Sequence, residues 1–287
     1  MIGKHTEQNF QSLELKLTRP SDVAALLQTH GIRPNKVLGQ NFLIDANILE
    51  ILLSAAELTK DDVVLEIGPG LGVLTGPLLA RAGRVIAIEK DAALFNLLRE
   101  RFGGIASLEL IHSDIMDVSL PELMARGVTK VVANLPYAVG TRILVDLFEQ
   151  NPAPRRYVVT VQREVADRLA AKPSADDYGL LSLLAQFDHD VKVRKVISPS
   201  CFFPPPQIKS AIVVVHRLPH PRVEIADRKK FKTLIKHAFS QRRKQIATIL
   251  RGFTNNSDVP LAAVGLDPRE RPENIALETW AKLANLL

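Results

Sequence analysis

The sequence predicts an α/β protein: a doubly wound sheet of seven strands whose last two form an antiparallel hairpin, followed by a small C-terminal helical domain. Three observations lead there. Short apolar runs alternate with helical patterns through the first 165 residues, two further runs are joined through a proline cluster, and the charge balance changes near residue 217.

The first five runs are Val63–Ile67, Arg84–Ile88, Leu108–His112, Lys130–Ala133 and Tyr157–Gln162. Each is short enough for a strand, and the patterns between them have helical period. In Asp91–Phe102, for example, Leu94, Leu97, Leu98 and Phe102 share one face. Strand–helix alternation builds βαβ units and hence parallel strands. A helix is expected around Tyr178–Phe187, then strands at Val191–Ile197 and Ala211–Arg217. The second is reached through Pro204-Pro205-Pro206, a connection short enough for an antiparallel pair. Pro219 and Pro221 mark a linker, after which Asp227–Phe239, Gln241–Leu250 and Leu277–Leu286 read as helices. The expected divisions are a leader over 1–35, the α/β domain over 36–217 and a helical domain over 218–287.

A chain of 287 residues buries most of its apolar surface without staples. The single cysteine, Cys201, excludes a disulfide framework, a Cys-x-x-Cys zinc site and an iron–sulfur cradle. It is expected to be a small buried hydrophobe, and no metal is expected. The first eighteen residues lack an apolar block, and the longest apolar stretch, Ile48–Leu58, is too short to span a bilayer and contains Glu50 and Glu57. A cytoplasmic protein without a membrane partner is expected. From Arg217 onward there are 14 Lys and Arg against 7 Asp and Glu, while the rest of the chain is nearly neutral. Excess positive charge confined to one domain points to a polyanion, more often nucleic acid than membrane.

The chemistry concentrates at the predicted carboxyl ends of the strands, where open α/β sheets bind ligands. Glu66-Ile67-Gly68-Pro69-Gly70-Leu71-Gly72 follows the first strand, and its glycines let backbone approach a ligand closely. Val73 stands where a dinucleotide fingerprint has its third glycine, which disfavours a pyrophosphate site. Glu89 ends the second strand, where a carboxylate can accept two ribose hydroxyls, and Asp114 ends the third, where it can accept from an adenine amine. A ligand with adenosine but no diphosphate fits, and S-adenosyl-L-methionine is such a ligand. After the fourth run comes Asn134-Leu135-Pro136-Tyr137. The Asn side-chain oxygen and the Leu135 carbonyl can accept both hydrogens of an aminopurine, Pro136 fixes the turn, and Tyr137 offers a flat face. Standing alone, this tetrad would be a strand-closing turn. Gln40-Asn41-Phe42-Leu43 precedes a helix start at Asp45 and by itself is an N-capped helix entry.

From about Lys36 to the C-terminus the chain resembles the small-subunit ribosomal RNA adenine dimethyltransferases of the KsgA type. The resemblance rests on a collinear series of motifs: Gly39–Leu43, Glu66–Gly70, Asn134–Tyr137, and Gln162 with Glu164, Ala166 and Arg168. It continues through Tyr178-Gly179, the series Phe202, Pro204, Pro206, Ile208, Ser210, and the run Phe239–Lys244. It implies a Rossmann-like methyltransferase sheet. It also implies contacts from Asn41, Leu43, Gly68, Glu89, Asp114 and Asn134 to S-adenosyl-L-methionine, with Asn134, Leu135, Tyr137 and Phe202 holding the target adenine. The implied substrate is a pair of adjacent adenosines in the 3′-terminal hairpin loop of small-subunit (16S) rRNA, each dimethylated on N6. The implied partner is the immature 30S subunit, met by a monomer. Arg242, Arg243 and Lys244 are expected to grip rRNA phosphates. Two positions depart from the family pattern: Ala138 stands where a polar residue is common, and Ile208 replaces the more usual Val. Other readings are a DNA adenine or protein glutamine methyltransferase, usually with Pro at the place of Leu135, an assembly factor that binds without catalysis, and a nicotinamide oxidoreductase.

Overall fold

The computed structural model describes residues 17–35, 39–254 and 261–287. Much of the expected leader, residues 1–16, lies outside the described residues, as does Lys36, where the α/β domain was expected to begin.

Helix α1 (Pro20–Thr29) is followed by β1 (Phe42–Leu43), α2 (Ala46–Ala56), β2 (Val63–Ile67), α3 (Thr75–Arg81) and β3 (Arg84–Glu89). Next come α4 (Ala92–Phe102), β4 (Leu108–His112), α5 (Leu120–Ala125), β5 (Lys130–Asn134), α6 (Gly140–Phe148) and β6 (Arg156–Gln162). Helices α7 (Arg163–Ala170) and α8 (Leu180–Gln186) lead to β7 (His189–Ile197), β8 (Phe202–Phe203) and β9 (Ser210–Arg217). The chain ends in α9 (Arg228–Phe239), α10 (Ile246–Thr254) and α11 (Leu277–Leu286). Seven strands form one sheet in the order β4-β3-β2-β5-β6-β9-β7, parallel from β4 to β6 and closed by an antiparallel hairpin. The expected seven-stranded architecture is therefore present. Val64 and Leu65 of β2, Val85 and Ile86 of β3, and Val131 and Val132 of β5 are fully buried. A sheet covered on both faces selects such continuous apolar runs.

Three helix starts, those of α2, α4 and α9, are set by side-chain caps. The carboxylate of Asp45 accepts the N–H groups of Asn47 and Ile48, Asp91 those of Ala93 and Leu94, and Asp227 those of Lys229 and Lys230. Each satisfies donors that a helix leaves open at its first turn.

The chain divides into two compact units, 1–163 with 193–215, and 164–192 with 216–287. The sequence reading makes one cut after 217, whereas the packing gathers residues 164–192 with the C-terminal helices. Tyr178, Leu183 and Phe187 share an apolar core with Phe231, Leu234, Ile249 and Trp280, and the Tyr178 hydroxyl donates to the Ile275 carbonyl at 3.0 Å. In the first unit, α1 buries Val23 and Leu27 against Phe42, Leu71 and Leu94, so part of the leader is core.

Two expectations need correction. The helix expected over Gln241–Leu250 starts at Ile246. Ahead of it the Gln241 N–H donates to Ala238 and the Lys244 N–H to Gln241, a pair of three-residue turns that break the register. Arg242, Arg243 and Lys244 therefore sit on a turn. Cys201 is half-buried, not enclosed. Its sulfur lies 3.6 Å from the Asp45 carboxylate, and burial, then that carboxylate, push the thiol pKa up.

Candidate active site

The site is built at the carboxyl ends of β2, β3, β4 and β5. A cavity of about 340 Å³ is lined by Asn41, Leu43, Gly68, Glu89, Asp114, Asn134, Leu135 and Tyr137, with Glu66 in its wall. All six residues expected to contact cofactor and three of the four expected at the target base are brought together there. The volume lies at the lower end of the range for small-molecule sites.

The glycine loop after β2 does two jobs. Gly70 has φ +59°, and a Cβ there would stand 3.2 Å from the Phe42 ring, so the loop folds tightly beneath the Gln40–Leu43 segment. At Gly72 a Cβ would meet the Phe102 ring at 2.5 Å, which makes this glycine a packing requirement of α4 against the loop. The remaining face of the loop turns to the cavity.

Three acids surround the cavity with different electrostatics. Glu89 accepts the Gly70 N–H at 3.0 Å and the Asp91 N–H at 2.9 Å, one on each oxygen, which aims the carboxylate and leaves each oxygen a further lone pair. Burial nevertheless raises its pKa. Asp114 accepts from Lys90 at 2.6 Å and from the Met116 N–H at 3.0 Å, and both bonds lower its pKa. Glu66 is 1% exposed. It accepts the Thr75 hydroxyl at 2.8 Å on one oxygen, while no described group bonds the other. Burial pushes its pKa to about 8. An acid-walled cavity with an orphaned buried oxygen and backbone open at the glycines fits a cationic nucleoside without diphosphate, as S-adenosyl-L-methionine is. Glu89 would hold ribose, Asp114 the adenine amine, and Asn41 and Leu43 the loop over the amino-acid end. Sequence reasoning placed Glu66 in the glycine motif but gave it no role, because an acid there carries no local sign of its burial.

The tetrad is fixed from both sides. The Asn134 side-chain N–H donates to the Asn41 carbonyl at 2.9 Å; a carbonyl only accepts, so the amide orientation is set. Its oxygen accepts the hydroxyl of Thr160, its register partner on β6, which is fully buried. The Tyr137 hydroxyl is bonded to the Ser210 hydroxyl. Neither Thr160 nor Ser210 announces this in sequence, since both lie on other strands distant along the chain, Thr160 on β6 beside β5 and Ser210 on β9 one strand further.

Phe202 departs from expectation. Phe202 is 2% exposed and lies in the core with Leu43, Leu52, Val132 and Ile212, and it is not among the residues that line the cavity. The cause is a two-residue antiparallel pairing of β1 with β8, Leu43 opposite Phe202 and Phe42 opposite Phe203, extended by the Ile44 N–H to the Cys201 carbonyl at 2.9 Å. That pairing ties the Gln40–Leu43 segment to the proline cluster and turns Phe202 inward. The three expected RNA contacts lie in the other unit, on its surface. Arg242, Arg243 and Lys244 are exposed, with Arg242 reaching the Asp176 carbonyl at 3.3 Å and Lys244 the Gln241 side chain at 2.8 Å.

The family model for ribosomal RNA adenine dimethylase matches residues 31–287. The chain is 38% identical over 264 residues to ribosomal RNA small subunit methyltransferase A of Clostridium acetobutylicum, covering 91% of this chain and 96% of that protein. The protein of the same name from Geobacter metallireducens is 37% identical over 269 residues, covering 91% and 98%. Among solved structures, a dimethyladenosine transferase from Plasmodium falciparum shares the fold with a TM-score of 0.71, at 23% identity over 84% of this chain and 95% of that one. The 23S rRNA methyltransferase ErmE superposes with a TM-score of 0.67, at 25% identity over 86% and 99%. With its sheet, glycine loop and tetrad in place, this chain belongs to the ribosomal RNA adenine dimethylase family and is an S-adenosylmethionine-dependent rRNA adenine dimethyltransferase.

Proposed function

We propose that the Asn134–Tyr137 tetrad receives an adenine flipped out of the 3′-terminal hairpin loop of small-subunit (16S) rRNA and turns its amine toward the methyl donor. The enzyme dimethylates N6 of two adjacent adenosines in that loop, as a step in small-subunit biogenesis. The observation that carries the role of the tetrad is the locked Asn134 amide at the mouth of β5, whose nitrogen donates to the Asn41 carbonyl and whose oxygen accepts the Thr160 hydroxyl.

The lone pair of an adenine amine is delocalised into the ring, so the amine is a weak nucleophile. If its two hydrogens are accepted by the Asn134 side-chain oxygen and the Leu135 carbonyl, the nitrogen is favoured in a pyramidal form with its lone pair exposed. S-adenosyl-L-methionine, when bound, supplies a methyl group already activated on a sulfonium. The residues around it therefore contribute position and electrostatics, with no covalent bond to the protein. Unstacking the base costs a few kcal/mol, and a Tyr137 face offsets part of this, since stacking on an aromatic is worth roughly 1–3 kcal/mol. Phe202 supports the floor beneath Leu43; to stack on the base its ring would first have to leave the core.

In the same reading, residues 36–217 carry methyl transfer and residues 218–287 grip RNA. Arg242, Arg243 and Lys244 meet phosphates of the immature 30S subunit, in the cytoplasm, and the enzyme works as a monomer. The exposure of those three side chains and the basic balance after residue 217 support this. No helix among the described residues is long and apolar enough to cross a membrane. Mass spectrometry of 16S rRNA from cells lacking this protein tests the proposal: the 3′ hairpin loses its methyl groups and regains them with the wild-type gene. Full methylation in the deleted strain contradicts it. Duplex DNA and release factors, offered as substrates, are expected to stay unmodified.

A further inference from the structure

We propose that Ser210 is a positioning residue for methyl transfer: its buried hydroxyl holds the far end of Tyr137, so that the ring stands ready at the cavity wall before a base arrives. This rests on the reading of Tyr137 as the face that receives the adenine.

The argument starts from how the ring is attached. At its backbone end Tyr137 follows Pro136, whose φ is fixed, and Gly39 packs close behind, within 3.7 Å of the Tyr137 nitrogen from where a Cβ would sit. That anchors the main chain but leaves the two side-chain torsions free. The hydroxyl end supplies the other anchor. It reaches past the cavity wall to Ser210, the first residue of β9, which is fully buried. A serine hydroxyl enclosed by protein needs a hydrogen-bond partner, and the Tyr137 hydroxyl supplies it. The ring itself remains half-buried and lines the cavity. Tyrosine thus has an apolar face toward ligand and a polar tip tied to the sheet. A phenylalanine would offer the same face without the tie.

The placement also explains why Ser210 closes the proline-containing series that begins at Phe202. The Arg163 N–H donates to the Lys209 carbonyl at 3.0 Å, which sets the start of β9 against the end of β6 and so fixes where the Ser210 hydroxyl points. Phe202 at the head of the series pairs with Leu43 in the cavity wall, and Ser210 at its tail holds Tyr137. One segment therefore fastens two walls of the same cavity. Holding a ring in its binding pose beforehand removes an ordering cost from the step that captures the base.

The test is a double-mutant cycle on the full-length enzyme with Ser210→Ala, Tyr137→Phe and both together, assayed on immature small subunits. Binding of S-adenosylhomocysteine is followed by calorimetry. Each single variant is expected to lower kcat 3–10-fold, leave KM for the subunit and affinity for S-adenosylhomocysteine within twofold, and the double variant to be no worse than either single. Multiplicative losses, or wild-type kcat in Tyr137→Phe, overturn the proposal. If Ser210→Ala does not fold, Tyr137→Phe breaks the same bond from the other side and decides alone. Tyr137→Ala separates this idea from the reading beneath it. A large loss there with none in Tyr137→Phe removes the Ser210 role alone, and no loss in Tyr137→Ala removes the role of the ring itself.

Discussion

The cavity of the α/β unit and the basic surface of the helical unit solve opposite problems. In the cavity, the polar groups expected to act are buried or half-buried and held by named partners: Asn134 by Asn41 and Thr160, Glu89 by two backbone N–H groups, Tyr137 by Ser210. On the turn after α9, Arg242, Arg243 and Lys244 are exposed and only lightly tethered. Buried polar groups act at fixed positions where the local dielectric is low, whereas solvated charges act through number and salt. The first region is therefore expected to respond to single substitutions sharply and the second to respond additively.

The largest break in that comparison is expected at Asn134. Asn134→Ala removes one acceptor of the target amine and should cut kcat about 10³-fold, ~4 kcal/mol, while RNA binding measured by filter retention stays within a few fold. Turnover at the wild-type rate would remove Asn134 from the mechanism. Phe202 comes next, with an effect on stability instead. Because its ring is core, Phe202→Ala should cost about 3 kcal/mol in urea unfolding, and Phe202→Leu much less. Equal stability of Phe202→Ala and wild type would mean the ring is not packed as described.

Glu66 sharpens the contrast through pH. Its folded pKa of about 8 lies above the ordinary carboxylate value of 4.5, so the folded chain holds a proton that the unfolded chain has released between those values. Stability from this group is complete below about pH 4.5 and is lost as pH rises toward 8, by up to ~1.4 kcal/mol per unit. Glu66→Gln should be comparatively flat over the same window, so its advantage over wild type grows with pH. Parallel curves from unfolding at pH 5, 6, 7 and 8 would contradict this. The smallest effect per residue belongs to the surface. Neutralising Arg242, Arg243 and Lys244 together should flatten the slope of log affinity against log salt by about 2, from roughly 0.7 per phosphate on single-stranded RNA, with stability nearly unchanged. An unaltered slope would return the cluster to a merely solvated turn.

What the sequence made legible follows from the range of each signal. Strand runs and capping acids are local, and so β2 to β6 and the starts of α4 and α9 stand within a residue of expectation. The tetrad was legible because four adjacent residues carry its chemistry. By contrast, β1 and β8 are two residues each and pair across the length of the α/β unit, so nothing local marked them, and with them went the inward turn of Phe202. The break before α10 was hidden because Gln241 to Gln245 are all acceptable helix residues; hydrogen bonds back to Ala238 and Gln241 decided against them. Thr160, Ser210 and the burial of Glu66 depend on neighbours that only the folded sheet supplies.

The most direct test of the central claim is a structure of the enzyme with S-adenosylhomocysteine and an RNA hairpin bearing the target loop. The account predicts an adenine lifted from its stack, with N6 about 3 Å from both the Asn134 side-chain oxygen and the Leu135 carbonyl and the Tyr137 ring against its face. An adenine bound elsewhere, or the tetrad closed over by the protein's own side chains in that complex, would contradict it.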